Sequence, residues 1–278
     1  MSAELNISTL DGKRVVSFHP LVKAHFNFWA FTALDEEVLA ALEEAEAVIW
    51  PQVFPGCFYR YARKRGLLSF PNYDARLDFP GKDGQVLLFR SLGLPHPRSV
   101  LVPKIASLGP HPGARPVELA FPLVLKVNDE HEGQGIFLLQ DENQWQKVLS
   151  LLKERERTGR FGFLLQEFVP SSYDLRVVIF RRQKLPFWRQ KGDDFRGNLV
   201  QGGRLVASPS ERLEEEALKL VEKLVRQTGI DLAAVDFLVT ETEVLLNEIN
   251  YVFGRRALGG RFEGLFFEAV KDFLRGDL

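Results

Sequence analysis

Two apolar runs separated by a polar turn occupy residues 235–250, VDFLVTETEVLLNEIN, and this pattern predicts a β-hairpin. Glu248 and Asn250 are two residues apart on the second strand, so their side chains point to one face of the sheet. Asp236 lies on the first strand, and a turn that is symmetric about Thr242 places it directly opposite Glu248. Directly opposed residues have Cβ atoms about 4.5–5.5 Å apart. The hairpin therefore predicts two carboxylates and an amide within one small area.

This area has the chemistry of a divalent metal site. Two carboxylates that close repel each other unless a proton or a cation lies between them. Asp, Glu and Asn side chains together supply hard oxygen ligands, which suit Mg²⁺ that keeps some water and bridges phosphates. The alternative is a solvated polar face of the sheet, although Val235, Phe237 and Ile249 make these strands otherwise apolar. From the hairpin alone, both interpretations stay open.

A lysine inside an apolar run is the second feature. Lys126 lies within Leu123-Val-Leu-Lys-Val127, where a charged side chain is costly unless it is paired. The polar loop that follows contains Gly133 and Gly135, and glycine lets backbone N–H groups approach phosphate oxygens closely. The loop lacks both the Walker A pattern and the full G-x-G-x-x-G spacing. A flexible hairpin turn is the alternative, with His131 as a solvated loop residue.

A third feature is the stretch Gln166-Glu-Phe-Val-Pro170, an apolar strand that runs into a proline. It predicts a hinge between two lobes, where the backbone of Glu167 and Val169 is placed to pair with an adenine edge. An ordinary strand end is the alternative.

The fourth feature is a series of arginines and glycines. Asp174 and Arg176 share one face of a predicted strand, Arg189 follows, and residues 196–203 read Arg-Gly-Asn-Leu-Val-Gln-Gly-Gly. An arginine fork suits the recognition of phosphate or carboxylate groups. The glycine pair at 202 and 203 indicates a backbone held near a ligand. For any single arginine, a surface ion pair is the alternative.

A stretch rich in proline and glycine indicates a boundary between two domains. Residues 1–92 alternate strands (near 14–18, 48–50 and 67–70) with helices, one capped by Asp35, which predicts a small α/β domain. Pro and Gly crowd between 93 and 116, and beyond them strand runs joined by short turns predict a largely antiparallel α+β domain over 93–278. The strands predicted there are 123–127, 136–139, 163–168, 175–180, 185–189, 235–239 and 244–249, with helices near 144–153 and 213–227.

The composition excludes several classes of protein. The chain has 278 residues, 45% of them hydrophobic, and a net charge of −1, which points to neither a nucleic acid nor a membrane surface as partner. The basic stretch 60–65 is interpreted as a helix end, with a nucleic-acid patch as the alternative. Cys57 is the lone cysteine, which rules out an internal disulfide framework. The first residues lack the pattern of a signal peptide, so we expect a soluble, cytoplasmic protein.

Taken in order, these features resemble the ATP-grasp superfamily, and within it the branch of the ribosomal-protein glutamate ligases and bacterial glutathione synthetases. The resemblance rests on Lys82, Lys126, the glycine loop, the hinge, Asp-x-Arg, Arg-x-Asn with a glycine pair, and Asp…Glu-x-Asn. It covers residues 80 to 255 well and the first 80 only as a generic α/β layer. It implies an ATP-grasp fold, with a central lobe of about 93–168 and a C-terminal lobe of about 169–278 gripping ATP, preceded by the small domain 1–92.

The resemblance also implies roles for individual residues. Lys82 and Lys126 would hold the phosphates of ATP, with Gly133 and Gly135 forming a mobile lid over them. The adenine would be framed by Glu167, Phe168 and Val169. Asp174 would belong to the nucleotide site, and Arg196 and Asn198 would lie at its phosphate end. Arg176, together with Arg196, would be catalytic, and Mg²⁺ (or Mn²⁺) would be held by Asp236, Glu248 and Asn250.

The implied activity is that of a ligase that uses ATP and magnesium to join a carboxylate to an amine through an acyl phosphate. The substrate would be a small molecule, an amino acid or a peptide, and a homo-oligomer is possible. A small-molecule kinase and a non-catalytic ATP-binding module are the alternatives. The chain departs from the family at Asn250-Tyr-Val-Phe-Gly254, where a Ser-Pro-Gly-like turn is usual, so the acceptor amine is open. Arg255, Arg256 and Arg261 follow, either as a site for an acidic substrate or as a surface cluster.

Overall fold

The computed structural model of the chain describes residues 4–8, 13–29, 33–108, 119–128, 135–191 and 204–276. Its strands are β1 Leu5–Asn6, β2 Val15–Ser17, β3 Val22–Lys23, β4 Phe26–Asn27, β5 Ala47–Ile49, β6 Leu68–Phe70, β7 Ser99–Val102, β8 Leu123–Val127, β9 Ile136–Leu139, β10 Phe163–Glu167, β11 Tyr173–Phe180, β12 Gln183–Gln190, β13 Arg204–Val206, β14 Leu232–Val239 and β15 Val244–Asn250. Its helices are α1 Glu36–Glu44, α2 Gly56–Lys64, α3 Asp74–Asp78, α4 Gly81–Ser91, α5 Glu142–Arg157, α6 Glu211–Thr228 and α7 Phe262–Arg275, with 3₁₀ turns at Ile105–Leu108 and Arg256–Arg261.

The N-terminal layer is built on a parallel sheet of four strands in the order β4-β2-β5-β6. Helix α1 begins where the side chain of Asp35 accepts a hydrogen bond from the N–H of Val38, as the sequence predicts. Helix α2 ends at Lys64 with Arg65 as its C-cap, and Gly66 then adopts a positive φ of 82°, which favours glycine. This confirms the small α/β layer.

A four-stranded antiparallel sheet, in the order β7-β10-β8-β9, forms the central lobe. Helix α5 covers it, capped by the side chain of Asp141, which accepts from the N–H of Gln144. Trp145 of this helix is fully buried against the sheet. Strand β7 lies inside the region rich in proline and glycine, where no strand is predicted from the sequence.

The C-terminal lobe contains a five-stranded antiparallel sheet in the order β13-β12-β11-β14-β15. Helix α6 packs on one face of it. The buried side chains of α6 are Leu213, Ala217, Val221 and Leu224, whose spacing of three or four residues gives one apolar stripe. The stripe explains why one side of the sheet belongs to the core and leaves the other side for the site.

Helix α7 supplies four of the 23 phenylalanines of the chain. Its Phe262, Phe266 and Phe273 are buried in a cluster that also contains residues of the N-terminal sheet, such as Ile49 and Phe70. The rings of Phe70 and Phe273 lie 5.6 Å apart between centroids. The N-terminal layer and the C-terminal lobe are thus joined by a shared aromatic core.

The strands predicted after residue 120 are confirmed, with ends that differ by at most three residues. Both predicted helices there, near 144–153 and 213–227, are confirmed as α5 and α6. Helix α7 is absent from the sequence prediction, although its apolar residues recur at helical spacing. Within the described ranges, no helix combines the length and the hydropathy that crossing a bilayer would require.

Candidate active site

A cleft between the central and the C-terminal sheets gathers half of the predicted site residues. Those that line it are Lys126, Glu167, Phe168, Val169, Asp174, Asp236 and Glu248. Four further polar residues that were not predicted as site residues also line it, namely Gln166, Arg189, Lys191 and Asn247. The predicted Gly133, Arg196 and Asn198 lie outside the described residues.

The predicted pairing of Asp236 with Glu248 is confirmed, and a β-bulge is the reason. Between the two strands, Val239 faces Val244 and Phe237 faces Leu246. Continued without interruption, that register would place Asp236 opposite Asn247. One extra residue, Asn247, shifts the register and brings Glu248 opposite Asp236 instead.

The bulge also gives Asn247 a function that period-two alternation does not predict. Its side chain turns into the cleft, where its Oδ1 accepts a hydrogen bond of 2.8 Å from Nζ of Lys126. Lys126 is buried, with 7% of its surface exposed. Burial lowers the pKa of Lys126 to about 8, although Glu248 opposes that shift, and nearby Lys82 adds to it. The partner that the sequence requires for a lysine inside an apolar strand is therefore the amide oxygen of Asn247.

Asp236 is the most heavily bonded carboxylate of the cleft. Its Oδ1 accepts from Nε of Arg176 at 2.7 Å and from a terminal nitrogen of Arg189 at 3.0 Å. Its Oδ2 accepts from the other end of Arg176 at 2.6 Å and from Nδ2 of Asn250 at 2.9 Å. Burial alone would raise the pKa of Asp236, but Arg189 and Arg176 outweigh that effect and hold it below the ordinary value. The cations that neutralise Asp236 are thus guanidinium groups.

Glu248 differs from Asp236 in its hydrogen bonds and ion pairs. Among the residues that the structure describes, none donates a hydrogen bond or forms an ion pair with its carboxylate, which lines the cleft. Asn250 uses Nδ2 to reach Asp236, and its Oδ1 remains an acceptor. Glu248 and Asn250 therefore fit a hard divalent cation. Asp236 can join them only after giving up one of its four hydrogen bonds, because a carboxylate offers about four lone-pair positions.

Asp236, Glu248 and Asn250 provide only two charged ligands for a metal ion. In the described ranges, no group of three or more His, Cys, Asp or Glu side chains could hold an ion together. The candidate set is two carboxylates and one amide, which suits a cation that keeps water and phosphate oxygens among its ligands.

A second buried carboxylate, Asp174, lies beside two cations. Nζ of Lys191 is 3.2 Å from its Oδ1, and Arg189 bridges Asp174 and Asp236 at 3.9 and 3.0 Å. Burial raises the pKa of Asp174, and Lys191 and Arg189 partly offset that rise. Together with Lys126 and Arg176, four cationic side chains lie in or beside the cleft with the four carboxylates of Glu167, Asp174, Asp236 and Glu248, so charges of both signs are concentrated there.

Helix α4 brings Lys82 to the same region. Lys82 lies in the first turn of the helix, and its Nζ donates to the carbonyl oxygen of Val127 at 3.2 Å. The side-chain Oδ1 of Asn128 accepts from the backbone N–H of Lys82 at 3.0 Å and of Asp83 at 3.3 Å. An asparagine at the end of β8 thereby caps the start of α4. Lys82 and Lys126 are held near each other by this contact.

The hinge segment is placed as predicted, with one difference in its hydrogen bonds. Phe168 and Val169 follow β10 and line the cleft. The backbone N–H of Glu167 donates to the carbonyl of Arg98 at 2.9 Å, and its side chain accepts from the Arg98 N–H at 2.6 Å. The N–H of Glu167 is therefore committed to the central sheet and is not open to a ligand.

The structure describes one of the two glycines of the predicted lid and all three arginines that follow the hairpin. Gly135 is described, and its φ of 76° is the left-handed conformation that favours glycine. Its carbonyl accepts from the N–H of Val127 at 3.0 Å, which closes the β8–β9 hairpin. Of the arginines after the hairpin, Arg255 stacks on the ring of Phe262 at 3.7 Å from the centroid, while Arg256 and Arg261 are exposed.

Comparison with known proteins agrees with this geometry. The family model described as "RimK-like ATP-grasp domain" matches residues 114–258, just over half of the chain. A solved D-alanine–D-alanine ligase from Bacillus anthracis, in complex with ATP, superimposes with a TM-score of 0.64 at 14% identity. The superposition covers 92% of this chain and 86% of that one, which shows a shared ATP-grasp fold.

Two curated relatives match at the level of sequence. A "Probable alpha-L-glutamate ligase" from Parasynechococcus marenigrum is 28% identical over 158 residues, 54% of this chain and 32% of that protein. A "Glutathione synthetase" from Thermosynechococcus vestitus is 25% identical over 128 residues, 44% of this chain and 40% of that protein. The chain thus spans between about a third and two fifths of the length of these relatives.

Proposed function

Because the chain belongs to the RimK-like ATP-grasp family, we propose that it is an ATP-dependent ligase that joins a carboxylate to an amine and releases ADP. The observation that carries the proposal is the pairing of Asp236 with Glu248 inside a cleft that is also lined by Lys126, Arg189 and Lys191. This arrangement suits a triphosphate with its metal ion. The names of the two relatives favour an amino acid or a peptide as substrate.

In the proposed reaction, an oxygen of the substrate carboxylate attacks the γ-phosphorus of ATP, the bond to the bridging oxygen breaks, and ADP leaves. The amine nitrogen then attacks the acyl carbon, the bond to phosphate breaks, and the amine proton passes to solvent. Mg²⁺, when bound, neutralises the charge that spreads over the phosphate oxygens. Positioning and electrostatics supply most of the acceleration in such transfers.

The residues around the cleft have separate tasks in this proposal. Lys126, oriented by Asn247, donates to a phosphate oxygen, and Lys82 supports it from α4. Glu248 and Asn250 would hold the metal ion, and Asp236 would join them if Arg176 gave up one of its two hydrogen bonds. The nitrogen of Arg176 released in this way would be available to donate to the acyl phosphate.

Further residues are assigned to the nucleotide by the same proposal. Phe168 and Val169, with the carbonyl of Glu167, frame the adenine, and Asp174 completes the nucleotide site. Arg196 and Asn198 belong to the phosphate end, and Gly133 and Gly135 to a lid that excludes water from the acyl phosphate. The cytoplasmic location and a homo-oligomeric assembly stay predictions.

The test is a screen for ADP release with Mg²⁺-ATP against amino acids and short peptides, with mass spectrometry of the products. We expect one carboxylate and amine combination to give ADP and amide in equal amounts. ADP with a phosphorylated product and no amide would instead favour a small-molecule kinase. ATP binding without turnover under every substrate would favour a non-catalytic module.

A further inference from the structure

Strand β15 is an edge strand of the five-stranded sheet, so one side of its backbone has no strand partner. Unpaired N–H and C=O groups on such an edge normally bond to water or are covered by other parts of the chain. Here a loop covers one of them, since the N–H of Leu246 donates to the carbonyl of Pro95 at 2.8 Å. The backbone N–H and C=O of Ile249 are also covered, in this case by a single side chain.

The carboxamide of Gln85 bonds to both backbone groups of Ile249. Its Oε1 accepts from the N–H of Ile249 at 2.8 Å, and its Nε2 donates to the carbonyl of Ile249 at 2.9 Å. The side chain thereby imitates a residue of a neighbouring strand. Two hydrogen bonds in one plane fix the orientation of the peptide groups on both sides of Ile249.

Those two peptide groups carry the side chains that the proposed function assigns to the metal ion. One links Glu248 to Ile249, and the other links Ile249 to Asn250. Rotation of either peptide would swing the Cα–Cβ bond of its neighbour and change where the side-chain oxygen points. A clamp on Ile249 therefore controls the directions of Glu248 and Asn250 without touching either side chain.

Gln85 also connects this strand to the phosphate side of the cleft. It lies on α4 three residues after Lys82, so both side chains are on adjoining parts of one helix face. Lys82 bonds to the carbonyl of Val127, the residue after Lys126. Helix α4 thus touches the lysine strand at one end and the carboxylate strand one turn later.

From these contacts we propose that Gln85 is a positioning residue that sets the geometry of the metal ligands Glu248 and Asn250 and fixes it relative to Lys82. The proposal rests on the proposed function, because it assumes that these two residues bind the ion. Residues that orient metal ligands through hydrogen bonds typically change metal affinity by about 10- to 100-fold when they are replaced.

The test compares Gln85→Met with the wild-type protein. Methionine keeps the length of the side chain and a similar helix propensity, and it removes both hydrogen bonds. Mn²⁺ is titrated into protein saturated with a non-hydrolysable ATP analogue, and free Mn²⁺ is followed by electron paramagnetic resonance. The affinity for the analogue without metal is measured in chelator, and thermal unfolding is recorded for each variant.

We expect Gln85→Met to raise the Mn²⁺ dissociation constant at least about tenfold, with metal-free binding of the analogue unchanged. Gln85→Glu keeps the acceptor for the Ile249 N–H and loses the donor, so its effect should be intermediate. Gln144→Met is the matched control, because the Gln144 side chain also bonds to a backbone group, the N–H of Gln140 at 2.8 Å on the central lobe. The control should match the wild-type protein.

Glu248→Gln separates the two proposals. If this variant loses Mn²⁺ and Gln85→Met binds it as the wild type does, the role of Gln85 is overturned and the metal site stands. If Glu248→Gln binds Mn²⁺ normally, the metal site and the role of Gln85 are both overturned. An equal loss of metal-free analogue binding and Mn²⁺ binding in Gln85→Met would indicate general damage to the fold and would also overturn the positioning role.

Discussion

Arg176 grips Asp236 through two parallel hydrogen bonds, from Nε to Oδ1 at 2.7 Å and from a terminal nitrogen to Oδ2 at 2.6 Å. Only a planar guanidinium makes this two-point contact. The contact occupies oxygens that the proposed metal ion would need, so Arg176 and the ion would compete for Asp236. We expect a bound metal ion to free part of the Arg176 guanidinium for a phosphoryl group.

Replacing Arg176 by lysine tests this competition. Lysine keeps the charge but cannot bond to both oxygens of Asp236 in one plane. We expect kcat to fall by about 100-fold or more, the usual effect of losing one donor to the transition state. Mn²⁺ should bind at least as tightly as in the wild-type protein, because Asp236 is partly released. Arg226→Lys, at an exposed position on α6, serves as the control. A marked loss of Mn²⁺ affinity in Arg176→Lys would contradict the competition.

Glu248→Gln tests the role of the Glu248 carboxylate, which accepts no hydrogen bond from a described residue. The change removes a negative charge and keeps the shape, and no hydrogen bond to Glu248 from a described residue is lost. We expect turnover to be abolished and the melting temperature to stay near that of the wild type. ADP release and differential scanning fluorimetry measure the two effects. Glu243→Gln, on the exposed turn of the same hairpin, should leave activity unchanged. Full activity in Glu248→Gln would remove the proposed metal role.

Asp236→Ala should be far more damaging to the fold. It leaves Arg176 without its carboxylate partner and Arg189 with only the more distant Asp174, and breaking a buried pair in this way costs about 3–5 kcal/mol. Urea denaturation followed by circular dichroism gives the free energy of unfolding. Asp78→Ala is the control, since its ion pair with Arg60 is more than half exposed and such pairs contribute about 1 kcal/mol or less. Equal losses in the two variants would contradict the buried network.

Nucleotide binding should depend on pH through Lys126. Its pKa is lowered to about 8, so the ammonium group loses its proton in the free protein as the pH rises through that value. We expect the affinity for a non-hydrolysable ATP analogue to decline above pH 8 by up to about tenfold per pH unit. Calorimetry between pH 6.5 and 9.5 measures it. Lys126→Arg keeps its charge throughout and should remove the decline.

The free energy of unfolding of the nucleotide-free protein should rise with pH because of Lys126, whereas the nucleotide affinity should fall. Between pH 8 and the ordinary lysine pKa of 10.5, the unfolded chain holds more protons at this residue than the folded chain does. The contribution of Lys126 to the free energy of unfolding therefore rises with pH in that window. Comparing urea denaturation of wild type and Lys126→Met at pH 8 and 10 isolates the contribution. A difference that stays constant with pH would contradict the lowered pKa.

The sequence predicted the strands and the carboxylate pair because alternation and turn residues are local signals. Lys126 stood out because a charge within an apolar strand demands a partner. Asp174 and Arg176 were placed on one face by their spacing of two residues, and the structure has Asp174 lining the cleft and Arg176 on its neighbour Asp236.

The partners of these residues could not be predicted in the same way. Asn247 should point away from Glu248 by simple alternation, and only the bulge turns it inward. Arg176 bonds to Asp236 across 60 residues of chain, and Gln85 reaches Ile249 across 164. Such pairs depend on how β11, β14, β15 and α4 pack together, which no local pattern specifies. Helix α7 was missed although Phe262, Phe266 and Phe273 recur at helical spacing, so its signal was present in the sequence.

The bulge at Asn247 has a consequence for how this hairpin tolerates changes of length. With Asn247 deleted, the ladder would run unbroken from Val244 to Asn250, and Asp236 would still face Glu248. The deletion would cost the acceptor of Lys126 and spare the acidic pair. The strand is therefore one residue longer than its hydrogen bonding requires, and that surplus residue bonds across the cleft to Lys126 of the central sheet.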